Sequence, residues 1–141
     1  MGKINLWRVF LGGIIAGLVI DLFEWVLNGV ILNAQLAENM RTLGKSGTVS
    51  LKQIAALNVL GLVAGIVMVL LYAAIRPRFG PGPKTAMFAG LAVWALAYVL
   101  GGASLVVMHL FPMGLITIAL AVQVIETLVA AVAGAAVYKE D

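Results

Sequence analysis

The sequence predicts an all-α membrane protein: four transmembrane helices in an antiparallel bundle, with a short interfacial helix between helices 1 and 2. Three observations carry this expectation. Of 141 residues, 63% are hydrophobic and 11% charged, against about half and about a quarter in soluble domains. The charges are swept out of four long apolar stretches and collected between them, as a hydrocarbon solvent demands. Each stretch, at about 1.5 Å per helical residue, is long enough to cross about 30 Å of hydrocarbon.

The spans are expected at residues 7–32, 51–75, 85–111 and 113–138, within one integral membrane domain covering 1–141. The first is too long and too acidic for a cleavable leader and has no small-residue cleavage site, so it is expected to remain as a span. The segment from Asn33 to Ser50 is polar, and Leu36, Met40 and Leu43 recur at helical spacing before Gly44. That pattern fits an amphipathic helix lying at the interface and ended by a glycine. Ser50 with Gln53 fits a capping box for the second span. Between the second and third spans, Pro77, Gly80, Pro81, Gly82 and Pro83 are expected to stop the helix and keep the turn compact. Pro112 alone breaks the apolar run between the third and fourth spans, which makes those two helices tightly paired antiparallel neighbours.

Orientation follows from the basic residues. Lys3, Arg8, Arg76, Arg78, Lys84 and Lys139 fall on the side of both termini, and Arg41, Lys45 and Lys52 on the other. Six against three places the termini in the cytoplasm. Trp7, Tyr72, Phe79 and Tyr138 fall at the same inner interface, as an aromatic belt would. The formal charge of +3 would suit nucleic acid if it formed one face. It flanks helices instead, so the bilayer is the expected partner and nucleic acid is not. Arg76, Arg78 and Lys84 are candidates for contact with anionic lipid headgroups or a partner, although fixing topology is their simpler role.

The residue inventory excludes several chemistries. Without cysteine there is no disulfide, thiolate metal site or cysteine nucleophile. The single histidine, His109, rules out haem held by two histidines of one chain. No Glu-x-x-His pair of the di-metal kind is present, nor a phosphate-cradling loop, an HExxH motif or a Ser-His-Asp arrangement. No enzymatic activity, metal or cofactor is therefore expected. His109 itself fits an interfacial or helix-capping residue better than a pH sensor.

Close packing is written into every span. In the first, Gly13, Gly17, Asp21, Glu24 and Asn28 lie along one stripe of the helix. This stripe must face protein, because a carboxylate turned to acyl chains is costly. Gly61 with Gly65, Ala97 with Gly101, and Ala130 with Gly134 give the other spans small-xxx-small seams, and their simplest role is helix packing. A weak internal repeat is also visible: Ala16-Gly17-Leu18 reappears as Ala89-Gly90-Leu91, a match that apolar segments also produce by chance.

The acids point furthest toward function. Glu126 sits near the middle of the fourth span, and Asp21 and Glu24 slightly past the middle of the first, so three carboxyl groups can meet at one depth. Apart from Arg8 and Lys52 in the first turns of their spans, no Lys or Arg lies in any span to neutralise them. Such a cluster is a candidate site for a proton or a small cation. Asn28, Asn58, Tyr98, Gln123 and His109 could extend a polar path toward the outer side, while the inner half has few polar groups beyond Thr85. A path polar on one side only fits a binding cavity or gated route rather than an open pore. The plainer reading bonds the acids to Asn28, Gln123, Thr127, Tyr98 or Trp94, where they specify only how helices pair.

The string from Leu71 to Ala86, Leu-Tyr-Ala-Ala-Ile-Arg-Pro-Arg-Phe-Gly-Pro-Gly-Pro-Lys-Thr-Ala, with Ala89-Gly90-Leu91 and Trp94 after it, resembles a stretch of uncharacterised small bacterial four-span proteins. The segment Glu-Trp-Val-Leu-Asn-Gly-Val-Ile-Leu from Glu24 to Leu32, and Glu126, are similar to the same group. The resemblance implies a bacterial cytoplasmic membrane and this topology, and brings no activity with it. Three functional expectations follow from the residues: proton or small-cation binding or transport by Asp21, Glu24 and Glu126, an accessory subunit of a larger membrane complex, or a hydrophobic-ligand or pigment-binding module. In each, association into a homo-oligomer or a larger membrane complex is expected.

Overall fold

The computed structural model describes residues 3–139, and no strand occurs among them. Four helices are long and apolar enough to cross a membrane: Leu6–Ile31, Leu51–Phe79, Pro83–Val107 and Met113–Val137. The first span is α1, Leu6–Val26, which continues as a π-helical turn, Leu27–Ile31. Asn5 caps it, its side chain accepting from the Arg8 amide at 3.0 Å.

A short helix, α2, follows at Asn33–Thr42. It closes as the sequence implies, with Gly44 at φ 71°. The amides of Gly44 and Lys45 bond the carbonyls of Arg41 and Met40, a closure that needs a left-handed residue at Gly44. Leu36 of α2 packs against a small cluster of Leu27, Leu32 and Leu115, and Asn39 Nδ2 donates to the Leu110 carbonyl at 3.0 Å.

The second span, α3 (Leu51–Phe79), starts at the expected capping box. Gln53 N donates to Ser50 Oγ at 3.3 Å and Ser50 N to Gln53 Oε1 at 2.8 Å. It does not stop at 75. Pro77 lies inside its last turns, because the φ that proline fixes is helical and only one main-chain bond is given up so near the end. The break comes instead at Gly80, φ 84°, and Gly82, φ 127°. There Tyr72 Oη accepts from the Gly82 amide at 3.2 Å, and Thr85 Oγ1 donates to the Gly80 carbonyl at 2.7 Å.

The third span is composite: α4, Pro83–Val93, a π-helical segment, Trp94–Val99, and α5, Leu100–Val107. It ends before 111, so the connection to the fourth span is longer than Pro112 alone. His109 causes the early stop. It holds φ 56°, and the amides of His109 and Leu110 bond the carbonyls of Val106 and Leu105, each at 3.0 Å. A residue carrying a Cβ in that left-handed position is strained. His109→Gly is therefore expected to raise stability by about 1 kcal/mol, read as a higher unfolding midpoint in detergent; an unchanged or lower midpoint would contradict this account. The fourth span is α6, Met113–Val137.

Glycine seams bring the helices together. A Cβ on Gly13 would lie 2.5 Å from Ile66 Cα, and one on Gly17 2.5 Å from Leu62 Cα, while Gly65 meets the main chain of Gly13 and Gly17. Gly134 packs against Gly12, where an added Cβ would stand 2.7 Å from the carbonyl oxygen. Gly17 and Gly90, equivalent in the weak repeat, each press on the span that follows, since a Cβ on Gly90 would lie 2.6 Å from the Thr127 carbonyl oxygen. Gly101 departs from expectation, with nothing within 4 Å of its missing side chain. A π turn rotates the helix beyond it relative to an uninterrupted α-helix, so Gly102 takes the contact, 2.9 Å from Ile116 Cγ2.

The main core lies toward the termini, where Ala16, Ile20, Met68, Val69, Ala89 and Ala130 are all buried. At that end the Arg76 guanidinium stands 5.5 Å from the centre of the Tyr138 ring, a cation–π distance. Arg78 and Lys84 are exposed.

Candidate functional site

The site is assembled from α1, the two π-helical segments and α6, against a gap in α3. Asp21 and Glu24 are one turn apart on α1, so both project to one face. Asp21 fits because Gly61 has no side chain: its Oδ1 occupies the position a Cβ there would take. Gly61 is thus a place for a carboxyl group as well as a packing residue.

Glu24 is held by two amides. Its Oε2 accepts from Asn28 Nδ2, and its Oε1 from Gln123 Nε2 of α6 at 2.7 Å. Glu126 is fully buried. Tyr98 Oη donates to its Oε1 at 2.8 Å, while its Oε2 is buried with no hydrogen-bond partner. The charged groups that bear on Glu126 are those of Glu24 and Asp21. The only ion pair among the described residues is Glu38 with Arg41, away from this cluster.

The partners proposed from sequence now separate into two sets. Asn28, Gln123 and Tyr98 bond the acids. Thr127 Oγ1 donates instead to the Gln123 and Val124 carbonyls, and Trp94 Nε1 to the Leu120 carbonyl at 3.1 Å. Asn58 is exposed and lines a cavity that also reaches Glu24. His109 is exposed in its turn and lines none of the cavities that meet at Asn28, so it does not join the polar path. Among the described residues, no three His, Asp or Glu side chains converge to hold a metal ion.

Three cavities meet at Asn28. One of about 330 Å³ is lined by Asp21, Glu24, Leu57 and Gly61. Another, about 400 Å³, runs from Glu24 past Trp25 and Asn58 to Thr48 in the connection before α3. The third, about 500 Å³, lies between Tyr98, Gln123 and the half of the third span that runs toward α6.

Sequence periodicity could not show the two π segments, yet one carries Asn28 and the other Tyr98. Such insertions re-aim a helix face and recur at functional sites. Gly12 and Gly90 were also missed as packing residues. Their signal was present, since Gly12 with Ala16 and Ala86 with Gly90 repeat the small-xxx-small spacing. Comparison with family models, curated proteins and solved structures returns no match. The site must be interpreted from its own chemistry.

Proposed function

We propose that this protein binds a proton on the paired carboxyl groups of Glu24 and Glu126, within an antiparallel bundle of four transmembrane helices, as part of proton-coupled binding or transport. One observation carries the reading: Glu126 Oε2 is fully enclosed and has no donor. A buried charged oxygen without a partner is among the most costly arrangements in a fold. A proton on that oxygen removes the charge and turns an orphaned acceptor into a donor facing the acidic neighbour. Glu24 suits the complementary role, since both its oxygens already accept amide hydrogens.

In this reading α2 lies at the outer interface, the termini face the cytoplasm, and the surrounding membrane is the bacterial cytoplasmic one. The positive bias of the terminal side supports the orientation. The test is infrared spectroscopy of the purified protein over a pH series. A protonated carboxyl band is expected, lost in Glu126→Gln and shifted in Glu24→Gln. A wild-type protein without that band at any pH at which it is folded would refute proton binding. Flux into proteoliposomes, lost in the same variants, tests the transport component.

A second reading, in which this chain docks in a homo-oligomer or on a larger membrane complex, is supported by the third span. Gly101 meets nothing, and Leu96 and Leu100 beside it are exposed. Native mass spectrometry of protein extracted in mild detergent distinguishes a second copy, a different subunit, or lipid alone on that face.

A further inference from the structure

We infer that Glu24 is the port through which Glu126 exchanges its proton, and that exchange is open only to the side of the connection between α2 and α3. This rests on the proton-binding reading and specifies how the site communicates with water. All three cavities that meet at Asn28 lie at the level of the acids or toward that connection, and two of them touch Glu24. The larger of those two also reaches Gly47, Thr48 and Val49. Glu24 is half-buried, and Glu126 behind it is fully enclosed.

Toward the termini the bundle is shut. Ala16, Met68, Val69, Ala89, Ala130 and Ala131 are each at most 2% exposed. The main chains at Gly12 and Gly134, and at Gly17 and Gly65, approach too closely to admit even a methyl group. A file of water cannot pass where a methyl cannot. A further cavity, lined by Met87, Leu128, Val129, Val132 and Ala133, is apolar and touches no carboxyl group.

The titratable groups facing Glu126 are Asp21 and Glu24 from the first span and Tyr98 from the third; α3 contributes none, and α6 contributes Glu126 itself. Tyr98 already donates its hydroxyl hydrogen to Oε1, which leaves the other oxygen to exchange with the acidic pair. The step is a single proton transfer. Protonated Glu24 gives its proton to the Glu126 carboxylate, leaving Glu24 as a carboxylate held by Asn28 and Gln123 and Glu126 as the neutral acid. Release runs in reverse. Asp21, seated at Gly61 beside the same cavity, lies next to the entry and off the transfer step.

Proteoliposomes with the full chain in one orientation, verified by protease accessibility of a terminal tag, provide the test. The Glu126 carboxyl band, identified by its loss in Glu126→Gln, is followed after a pH jump on one side. It is expected to follow the bath facing the α2–α3 connection, and to ignore a jump on the terminal side while the gradient persists. Glu24→Gln is expected to slow the response about a hundredfold, the low end of what a positioned proton-transfer group contributes. Leu57→Trp, which fills a position shared by both cavities at Glu24, should slow it while leaving the equilibrium band intact. A band that follows the terminal-side bath overturns the inference, as does a wild-type rate in both variants. A wild-type band at no pH refutes proton binding itself, so the two failures are distinct.

Discussion

Gly65→Val is expected to destabilise the protein by about 3 kcal/mol, the upper range for overpacking a closely fitted interior. A Cβ at Gly65 would fall among the main-chain atoms of Gly13 and Gly17, with Gly17 Cα 2.7 Å away. Main chain cannot move aside as the end of a flexible side chain can, so α1 and α3 must separate along the contact. That separation would also withdraw Gly61 from Asp21 and loosen the cavity at Glu24. Gly101→Val is the matched control, because it adds the same atoms to a position with nothing within 4 Å. Unfolding midpoints in mixed micelles should drop sharply for the first and stay near wild type for the second. Equal midpoints would mean that the α1–α3 seam is not set by its glycines.

Most of the fold was legible because hydrocarbon imposes a coarse rule on composition. Four long, predominantly apolar runs can be read directly, and so can the capping box at Ser50 and the glycine stop after α2. The ends were harder. Pro77 marks a helix stop by its missing amide, but near the end of α3 that loss is small and its fixed φ suits the helix. His109 was read past because a left-handed non-glycine residue has no strong signature, so the third span was drawn too long. The stripe from Gly13 to Asn28 correctly brought Asp21 and Glu24 to the protein side. Which amide or hydroxyl bonds which acid was not legible, because that depends on how two π segments rotate Asn28 and Tyr98. The same rotation moved the helix contact from Gly101 to Gly102. A period of 3.6 residues cannot foresee an insertion that departs from it.

Substitutions at Glu126 separate its role in the fold from its role as a proton acceptor. In Glu126→Gln the side-chain carbonyl can keep the bond from Tyr98, and the amide nitrogen presents hydrogens where Oε2 has none. Glutamine thereby copies the neutral acid without being able to release a proton. Its stability is expected within about 1 kcal/mol of wild type, with the titrating band gone. Glu126→Leu fills the space but leaves the half-buried Tyr98 hydroxyl without its acceptor, a loss of about 2 kcal/mol by the usual cost of an orphaned group. Tyr98→Phe should cost a similar amount, because it removes the sole donor to Oε1. Removing both partners is different. In Tyr98→Phe with Glu126→Leu no unmatched polar atom of this pair remains, so the double variant should be more stable than the sum of the single losses implies, by at least about 1 kcal/mol. Strict additivity across the cycle would show that the Tyr98–Glu126 bond contributes nothing to the fold. A Glu126→Gln protein that unfolds like the leucine variant would show that the site needs the carboxylate itself, and with it that the buried oxygen is not resting on a proton.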